Sequence, residues 1–257
     1  MKIDRVLVCL NANPTYVGFW NKVSIVWKLL FDVTPTLIFM GTEEQVKELG
    51  LSDMYGEIHV LPPDSVTANN SFSWDVTWGL FYGATLFPDD VCMTCGIDQI
   101  PLGSTMFWDE VSKVEEGKFI VGFGNAYGHD EWYPSSHLVA KGKKFKEIFN
   151  ITSDFRTEIR KVEEWGNKHR SVAWGLDEWY SGSLLKGHPD CVFLDIFNEW
   201  RGARLDRAGR QEYDTTKLIN YEYSELHSPR PYEDHAEYID TIINKLLEEA
   251  IEYPREF

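Results

Sequence analysis

Short apolar runs alternate with segments of helical spacing through the first hundred residues, and this order constrains the fold more than any other feature. Runs typical of buried strands cover residues 5–10, 36–40, 57–61 and 91–95. Segments with the spacing of helices lie between them, at residues 17–31, 43–49 and 74–86. Strands that alternate with helices predict a parallel sheet with crossover helices. We therefore expect an α/β fold around a central, mostly parallel sheet.

The second half of the chain has a looser pattern. Strands are predicted over residues 117–124, 137–140 and 191–196, and helices over residues 142–149, 155–169, 177–185 and 235–252. No repeat, low-complexity tract or linker divides the 257 residues. A chain of this length can form one large domain with a sizeable core, so we expect a single domain.

Charge limits the partners that this chain can have. The formal net charge is −16, and a nucleic acid demands a basic surface, so we expect no nucleic-acid partner. The apolar run near the N-terminus is too short for a signal peptide, and no stretch approaches the roughly 20 apolar residues of a membrane span. These features predict a soluble, cytoplasmic protein without a membrane span. Nothing in the sequence indicates an oligomeric state.

Four cysteines are present, at Cys9, Cys92, Cys95 and Cys191. Cys92 and Cys95 have CxxC spacing, which in other contexts indicates zinc or redox chemistry. Here they lie in a predicted strand, where this separation points the two side chains to opposite faces. We therefore expect buried, reduced thiols.

The strand over residues 91–95 ends in an unusual motif. It continues as Gly96, Ile97 and Asp98, and residues 99–102 then read Gln-Ile-Pro-Leu. A carboxylate beside a small residue at a strand end suits a site where a metal ion and a phosphate must come close. The motif resembles the strand end of nucleotide-sugar glycosyltransferases of the A-type fold, which usually reads Asp-x-Asp followed by an apolar residue, Pro and Leu. Gly96 stands where the first Asp would be.

This resemblance implies a Rossmann-like A-type fold in which residues 1–103 bind the nucleotide sugar and residues 104–257 bind the acceptor. It also implies that Asp98 holds Mn²⁺ or Mg²⁺, which bridges the donor diphosphate. His227 resembles the late His that joins the same ion in metal-dependent members. Gly96 and Asp98 are candidate donor contacts, but Gly96 lacks the carboxylate that would contact metal or ribose, so we expect the ion to be held weakly, to be bound through other groups, or to be absent.

Further donor contacts are predicted at the end of the first strand, in the segment that contains Asn11, Asn13 and Tyr16. Ligands of open α/β sheets bind outside the carboxyl ends of strands. A Tyr there can stack on a base and an Asn can read its edge, although ordinary turn chemistry explains the same residues. Arg230 is a candidate for phosphate contact. An exposed loop remains the alternative for the segment around His227.

A second motif contains Trp174, Asp177, Glu178 and Trp179. Adjacent acids at a helix start often only complement the helix dipole. The pattern Trp-Gly-x-Asp-Glu is, however, similar to the acceptor-side acidic motif of many A-type glycosyltransferases. In inverting members this acid is the base that removes the proton of the acceptor hydroxyl, and in retaining members a nearby acid contacts the donor sugar. The resemblance implies catalytic roles for Asp177, ahead of Glu178, and acceptor contacts for both tryptophans.

Two other residues are candidate acceptor contacts. The strand that begins near His137 looks like the strand that carries acceptor-side wall residues in related enzymes, with a structural role as the alternative. Arg204 lies in an arginine-rich stretch of an acidic protein, residues 201–207, so it can contact an anion or the acceptor. A solvated loop of salt bridges explains this stretch equally well.

The leading hypothesis is a glycosyltransferase, transferring a hexose or pentose from a UDP- or GDP-sugar to a glycan hydroxyl. The first alternative is a domain of the same fold that binds nucleotide sugar or glycan without transfer. A hydrolase with two carboxylates is a further alternative, and it would need no nucleotide. A structural protein is the remaining one. Nucleotide binding separates the first two hypotheses from the others.

Overall fold

The computed structural model describes residues 1–62, 74–129, 131–170, 172, 174–207 and 212–252. The described strands form a seven-stranded sheet and a three-stranded sheet. The strands are β1 (Arg5–Asn11), β2 (Thr34–Met40), β3 (Glu57–Leu61), β4 (Val91–Thr94), β5 (Gln99–Pro101), β6 (Phe119–Val121), β7 (Leu138–Lys141), β8 (Cys191–Phe193), β9 (Leu205–Asp206) and β10 (Glu225–His227).

Helices connect and cover these strands. They are α1 (Pro14–Val17), α2 (Trp20–Phe31), α3 (Glu43–Glu48), α4 (Trp74–Ala84), α5 (Met106–Ser112), α6 (Gly142–Ile148), α7 (Phe155–His169), α8 (Leu176–Leu185), α9 (Phe197–Gly202), α10 (Thr215–Ile219) and α11 (Ala236–Glu252), with a 3-10 helix over Glu233–His235. Among the described residues, no helix is both long enough and apolar enough to cross a bilayer.

The large sheet has the strand order β3-β2-β1-β4-β7-β6-β8. Its first four strands, β3, β2, β1 and β4, are parallel to one another, and β6 is parallel to β8. Strand β7 alone runs antiparallel to both of its neighbours in this sheet. The expectation of a central, mostly parallel sheet flanked by helices is therefore confirmed.

Each face of this sheet packs against its own set of helices, because successive side chains of a strand point to opposite faces. Val6 and Val8 belong to the core that contains α2 and α11. Leu7 belongs to the core that contains α4, α6, α7 and α8. Cys95 lies in the first core and Cys92 in the second, as their spacing predicts. All four cysteines are free thiols.

The three-stranded sheet brings the late part of the chain to the strand-end motif. Strand β10 pairs antiparallel with β5, so that His227 lies opposite Gln99, and parallel with β9, so that His227 lies opposite Asp206. The backbone N–H of Ser228 donates to the carbonyl oxygen of Asp98 over 2.8 Å. This sheet therefore determines which side chains surround Asp98.

The predicted elements agree with the structure best where the pattern is long. The helix predicted over residues 155–169 has those bounds, whereas the one predicted over residues 17–31 is two helices, α1 and α2. The break between the two helices begins at Gly18, where a Cβ atom would lie 2.4 Å from the ring of Tyr232. The sequence analysis missed β5, β9, β10, α5, α9 and α10, all short elements whose pattern is too brief to distinguish from loops.

Candidate active site

The candidate site is a cleft at the carboxyl ends of β1 and β4. The chain leaves β1 through α2 on one face of the sheet and returns to β4 through α4 on the other face. Ligands of open α/β sheets bind at such a reversal of connection. Two adjoining pockets form the cleft, and both are lined by Gly96, Asp98, Trp174, Asp177 and Arg230.

The end of β1 and helix α1 form one wall. The side-chain oxygen of Asn11 accepts from the backbone N–H of Asn13 over 3.1 Å, and that of Asn13 caps α1 by accepting from Thr15 over 3.0 Å. Tyr16 follows on α1, and the guanidinium carbon of Arg230 lies 5.0 Å from its ring centroid. Arg230 also donates to the Tyr16 hydroxyl oxygen. Local turn chemistry thus places the three predicted donor residues of this segment along the cleft.

Asp98 is the centre of a cluster of cationic and imidazole groups. Its Oδ2 lies 2.9 Å from Nη1 of Arg207, 3.4 Å from Nε of Arg230 and 3.8 Å from Nε2 of His227. Only 7% of Asp98 is exposed. Burial raises its pKa to about 6, against the opposing effect of the Arg207 and Arg204 charges. Asp98 is therefore mostly ionised at neutral pH.

Gly96 faces the side chain of Gln99. The backbone N–H of Gly96 donates to Oε1 of Gln99 over 2.8 Å. A Cβ atom on residue 96 would lie 2.6 Å from the same oxygen. Gln99 thus fills the space that the side chain of an Asp at position 96 would enter.

The surroundings of Asp98 and His227 do not fit Mn²⁺ or Mg²⁺. These ions prefer several oxygen ligands, whereas two guanidinium groups lie against this carboxylate. A metal-bound His normally donates its other ring N–H, yet Nδ1 of His227 is buried without a hydrogen-bond partner among the described residues. Among all the residues that the structure describes, no group of three or more His, Cys, Asp and Glu side chains is placed to hold a metal ion. Metal dependence itself stays a prediction.

The first turn of α8 contributes a pair of acids to the cleft. Gly175 caps this helix with φ +83°, a left-handed conformation that favours glycine. Asp177 is 5% exposed and accepts a hydrogen bond from the hydroxyl of Ser135. The hydroxyl of Tyr127 contacts both carboxylate oxygens of Glu178, at 2.9 and 3.1 Å. Hydroxyl groups therefore orient both acids.

The two acids also affect each other's protonation. Burial raises the pKa of Asp177, and the negative charge of Asp75 raises it further. Burial raises the pKa of Glu178, and the adjacent charge of Asp177 adds to this effect. A carboxylate with a raised pKa is better suited to accept a proton near neutral pH.

One of the two pockets, the outer pocket, is lined by Trp174 and by the arginines Arg201, Arg204, Arg207 and Arg230. Trp174 is 69% exposed. Arg204 lines the cleft, with its Nη1 3.4 Å from the carboxylate of Glu225, and it also pairs with Asp206. The salt bridges suggested for the arginine-rich stretch are therefore present, and contact of Arg204 with an anion or the acceptor stays a prediction.

Two predicted acceptor residues do not line the cleft. His137 is 2% exposed, and its ring centroid lies 4.4 Å from that of Phe123 and 5.0 Å from that of Phe107. Burial lowers its pKa to about 3, so the imidazole is neutral. Trp179 packs against Trp132, with ring centroids 5.9 Å apart. The site described here contains neither residue.

Sequence reasoning missed several residues that shape the site. The sequence points to Arg207 only as one of the arginines of residues 201–207, any of which could complete the diphosphate site. Ser135 is 42 positions from Asp177, and Tyr127 is 51 positions from Glu178. No local pattern marks contacts between positions so far apart.

Comparisons with known proteins relate this fold to glycosyltransferases. No known family profile matches the sequence. The glycosyltransferase GlyE of Streptococcus pneumoniae TIGR4 is 13% identical, with a TM-score of 0.55 over 100% of this chain and 66% of GlyE. The galactosyltransferase LgtC, solved with donor and acceptor sugar analogs, is 12% identical, with a TM-score of 0.52 over 93% of this chain and 95% of LgtC.

One curated protein matches over 121 residues at 23% identity, a 2-oxo-4-hydroxy-4-carboxy-5-ureidoimidazoline decarboxylase of Haloferax volcanii. The match covers 45% of this chain and 62% of the decarboxylase. The chain thus spans less than two thirds of the length of both this protein and GlyE. The structural likenesses, at 12% and 13% identity, concern the fold. This protein has the A-type fold of glycosyltransferases.

Proposed function

We propose that the protein is a glycosyltransferase that moves a hexose or pentose from a UDP- or GDP-sugar to the hydroxyl of a glycan acceptor. The observation that carries this proposal is the composition of the cleft. One cleft contains a cationic cluster around Asp98 and an acid pair, the buried Asp177 and the half-buried Glu178. Transfer from a diphosphate needs both a site for an anion and a group that accepts a proton.

In this proposal, the donor lies along the ends of β1 and β4. Tyr16 stacks on the base, and Asn11 and Asn13 lie at its edge. The diphosphate lies near Asp98, where the guanidinium groups of Arg207 and Arg230 supply positive charge. Gly96 supplies no carboxylate there, and the side chain of Gln99 fills the space that an Asp at this position would enter.

In the reaction, the bond between C1 of the sugar and the β-phosphate oxygen breaks, and its electron pair stays on that oxygen. The oxygen of the acceptor hydroxyl forms the new bond to C1, and its proton passes to a carboxylate. Asp177 is the first candidate for this base, because Ser135 orients it and burial raises its pKa. Glu178 is the second candidate.

The acceptor lies in the outer cleft, where Trp174 offers an exposed ring for a sugar face and Arg204 offers a cation. We retain the division into a donor half, residues 1–103, and an acceptor half, residues 104–257, with one change. Arg207 and Arg230 belong to the second half by position but serve the donor side. Mn²⁺ or Mg²⁺ at Asp98 and His227 remains a prediction of the resemblance, to be tested below.

A domain that binds nucleotide sugar or glycan without transfer is the second candidate. The observation that favours it is Gly96, which removes one carboxylate from the donor site. Decarboxylation, the activity in the name of the curated relative, has weaker support because that match covers only 45% of the chain.

Calorimetric titration with a panel of UDP- and GDP-sugars, with and without Mn²⁺, tests the proposal, followed by an assay of nucleotide release with glycan acceptors. We expect one donor to bind and to be turned over, and Asp177→Asn to bind it without turnover. Binding of a donor without transfer to any acceptor would favour the second candidate. If no nucleotide binds under any condition, the proposal is wrong.

A further inference from the structure

We propose that arginine guanidinium groups, rather than a divalent metal ion, neutralise the donor diphosphate in this cleft, and that Asp98 positions them. This inference rests on the proposed function and specifies the chemistry of its donor site. It departs from the role that the resemblance implies for Asp98, which is that of a metal ligand.

The geometry around the carboxylate of Asp98 favours guanidinium groups over a metal ion. A metal ligand directs its oxygen lone pairs at the ion. Here Oδ2 accepts a hydrogen bond from Arg207 at 2.9 Å and lies 3.4 Å from Nε of Arg230. A divalent ion bound at the same oxygen would lie within a few ångströms of two positive charges, in a site of low exposure where such repulsion is poorly screened.

The second argument is the replacement of the first motif carboxylate. Gly96 has no side chain, and Oε1 of Gln99 takes the hydrogen bond from its backbone N–H. An amide in this place adds no negative charge. The motif therefore offers a single carboxylate, Asp98, and this one is already paired with guanidinium groups.

The third argument is the distribution of charge. The chain carries a formal charge of −16, so a diphosphate needs a local concentration of cations. Arg201, Arg204, Arg207 and Arg230 all line the outer pocket of the cleft. A guanidinium is planar and has five N–H donors, so it can hold a carboxylate and phosphate oxygens at the same time.

Arg207, Arg230 and Asp98 each have a part in the transfer step of this proposal. As the bond between C1 and the β-phosphate oxygen breaks, negative charge grows on the departing diphosphate. Arg207 and Arg230 donate hydrogen bonds to it and keep their protons, because arginine stays protonated in proteins. Asp98 is a positioning residue, since it acts on the diphosphate only through the arginines.

The test is calorimetric titration of UDP and GDP into the full chain and its variants, once with Mn²⁺ and once with EDTA. Wild-type affinity should be the same in both buffers. Arg207→Gln should weaken binding roughly 10- to 100-fold in EDTA, the loss expected for a hydrogen bond between charged groups. Arg160→Gln is the matched control, because it removes the same charge from an exposed position of α7 that does not line the cleft.

The opposite pattern overturns the inference. If UDP or GDP binds only with Mn²⁺ and Arg207→Gln binds as the wild type does, a metal neutralises the diphosphate and the proposed function still stands. If neither nucleotide binds in either buffer, the proposed function itself fails. Circular dichroism and thermal melting confirm that each variant is folded before titration.

Asp98→Asn gives an independent test, because the two models differ in whether its effect depends on Mn²⁺. A metal ligand lost at this position abolishes the gain in affinity that Mn²⁺ gives. In the arginine model the substitution loosens the hold on Arg207 and Arg230, so nucleotide affinity should fall by the same factor in EDTA and in Mn²⁺. A loss of affinity that appears only in Mn²⁺ contradicts the arginine model.

Discussion

Two acidic groups line the same cleft, and they differ most in their neighbours. Asp98 and Asp177 are both buried, at 7% and 5% exposure. Asp98 lies against Arg207 and Arg230. Asp177 accepts a hydrogen bond from Ser135 and lies next to a second acid, Glu178. Neither burial nor residue type distinguishes the two sites.

The difference teaches that the neighbours of a carboxylate decide its chemistry. Adjacent cations favour the ionised form of Asp98 and direct it to hold other groups in place. An adjacent negative charge disfavours ionisation of Glu178, so the acid pair can exchange a proton near neutral pH. In the proposed function, the surroundings of Asp98 therefore bind charge, and the acid pair moves a proton. The following predictions test this division.

The largest effect is expected at the acid pair. Asp177→Asn removes the proposed base while it keeps the shape of the side chain, so the rate of transfer should fall about 100-fold or more. Binding of the nucleotide sugar should change little, because Asn has the size of Asp and the diphosphate is held by Arg207 and Arg230 in the proposal. Initial rates of nucleotide release and a calorimetric titration measure the two quantities.

Glu164→Gln, an exposed acid on α7, is the control for the loss of one negative charge. Glu178→Gln completes the set. Should Asp177→Asn keep its activity while Glu178→Gln loses it, the base is Glu178 and the assignment within the pair is reversed. Should both variants stay active, the acid pair takes no part in the reaction.

The next largest effect is expected at Tyr16, on the donor side. Tyr16→Ala removes both the ring beside Arg230 and the surface for the base, so nucleotide affinity should fall about tenfold. Tyr16→Phe keeps the ring and loses only the hydroxyl that accepts from Arg230, so its affinity should stay closer to that of the wild type. Equal losses in both variants would show that the hydroxyl, and not the ring, matters. The measurement is titration with UDP and GDP.

A smaller effect is expected in the pH dependence of transfer. Asp177 must lose its proton to act as a base, so the rate should fall as the pH drops through its raised pKa. The hydrogen bond from Ser135 stabilises the ionised form and lowers this pKa. Ser135→Ala should therefore move the acid limb of kcat/KM to higher pH and reduce the rate severalfold at neutral pH.

Ser183→Ala, an exposed serine of the same helix, α8, is the matched control and should leave the pH profile unchanged. An unchanged profile in Ser135→Ala would mean that another group controls the acid limb. Such a result would remove the argument for Asp177 over Glu178.

The smallest effect is expected at Trp174. Its side chain is 69% exposed, so Trp174→Ala should leave the thermal stability almost unchanged. The KM for the glycan acceptor should rise severalfold, and the KM for the donor should not. Val172→Ala, at a nearby exposed position outside the residues that line the cleft, is the control. A larger change in the donor KM would place this ring on the donor side.

Much of the fold follows from the sequence because its signals are local. The alternation of apolar runs with helical spacing predicted β1 to β4 and α2 to α4, whose hydrophobic period is long enough to read. The strand-end motif with Asp98 led to the A-type fold, and the order of motifs led to His227 as its neighbour. Strand β10 does place His227 3.8 Å from Asp98.

Long-range contacts account for what the sequence did not show. His137 lies between Ser136 and Leu138 at the start of its strand, and only the packing of Phe107 and Phe123 shows that it is buried among aromatic rings. Arg207 reaches Asp98 across 109 positions of the chain. No spacing rule along the sequence predicts such a contact.

The sequence by itself therefore determined the α/β class, the parallel orientation of the first strands and the position of an acid at the end of β4. Periodicity and turn chemistry act between neighbouring residues, and they are readable in one dimension. Only the tertiary structure decided which charges surround each acid. The pairing of β10 with β5 and with β9 brings Arg207 and His227 to Asp98, while the start of α8 packs Asp177 against Ser135. Electrostatic environment depends on distance in space, and short strands between remote segments set that distance.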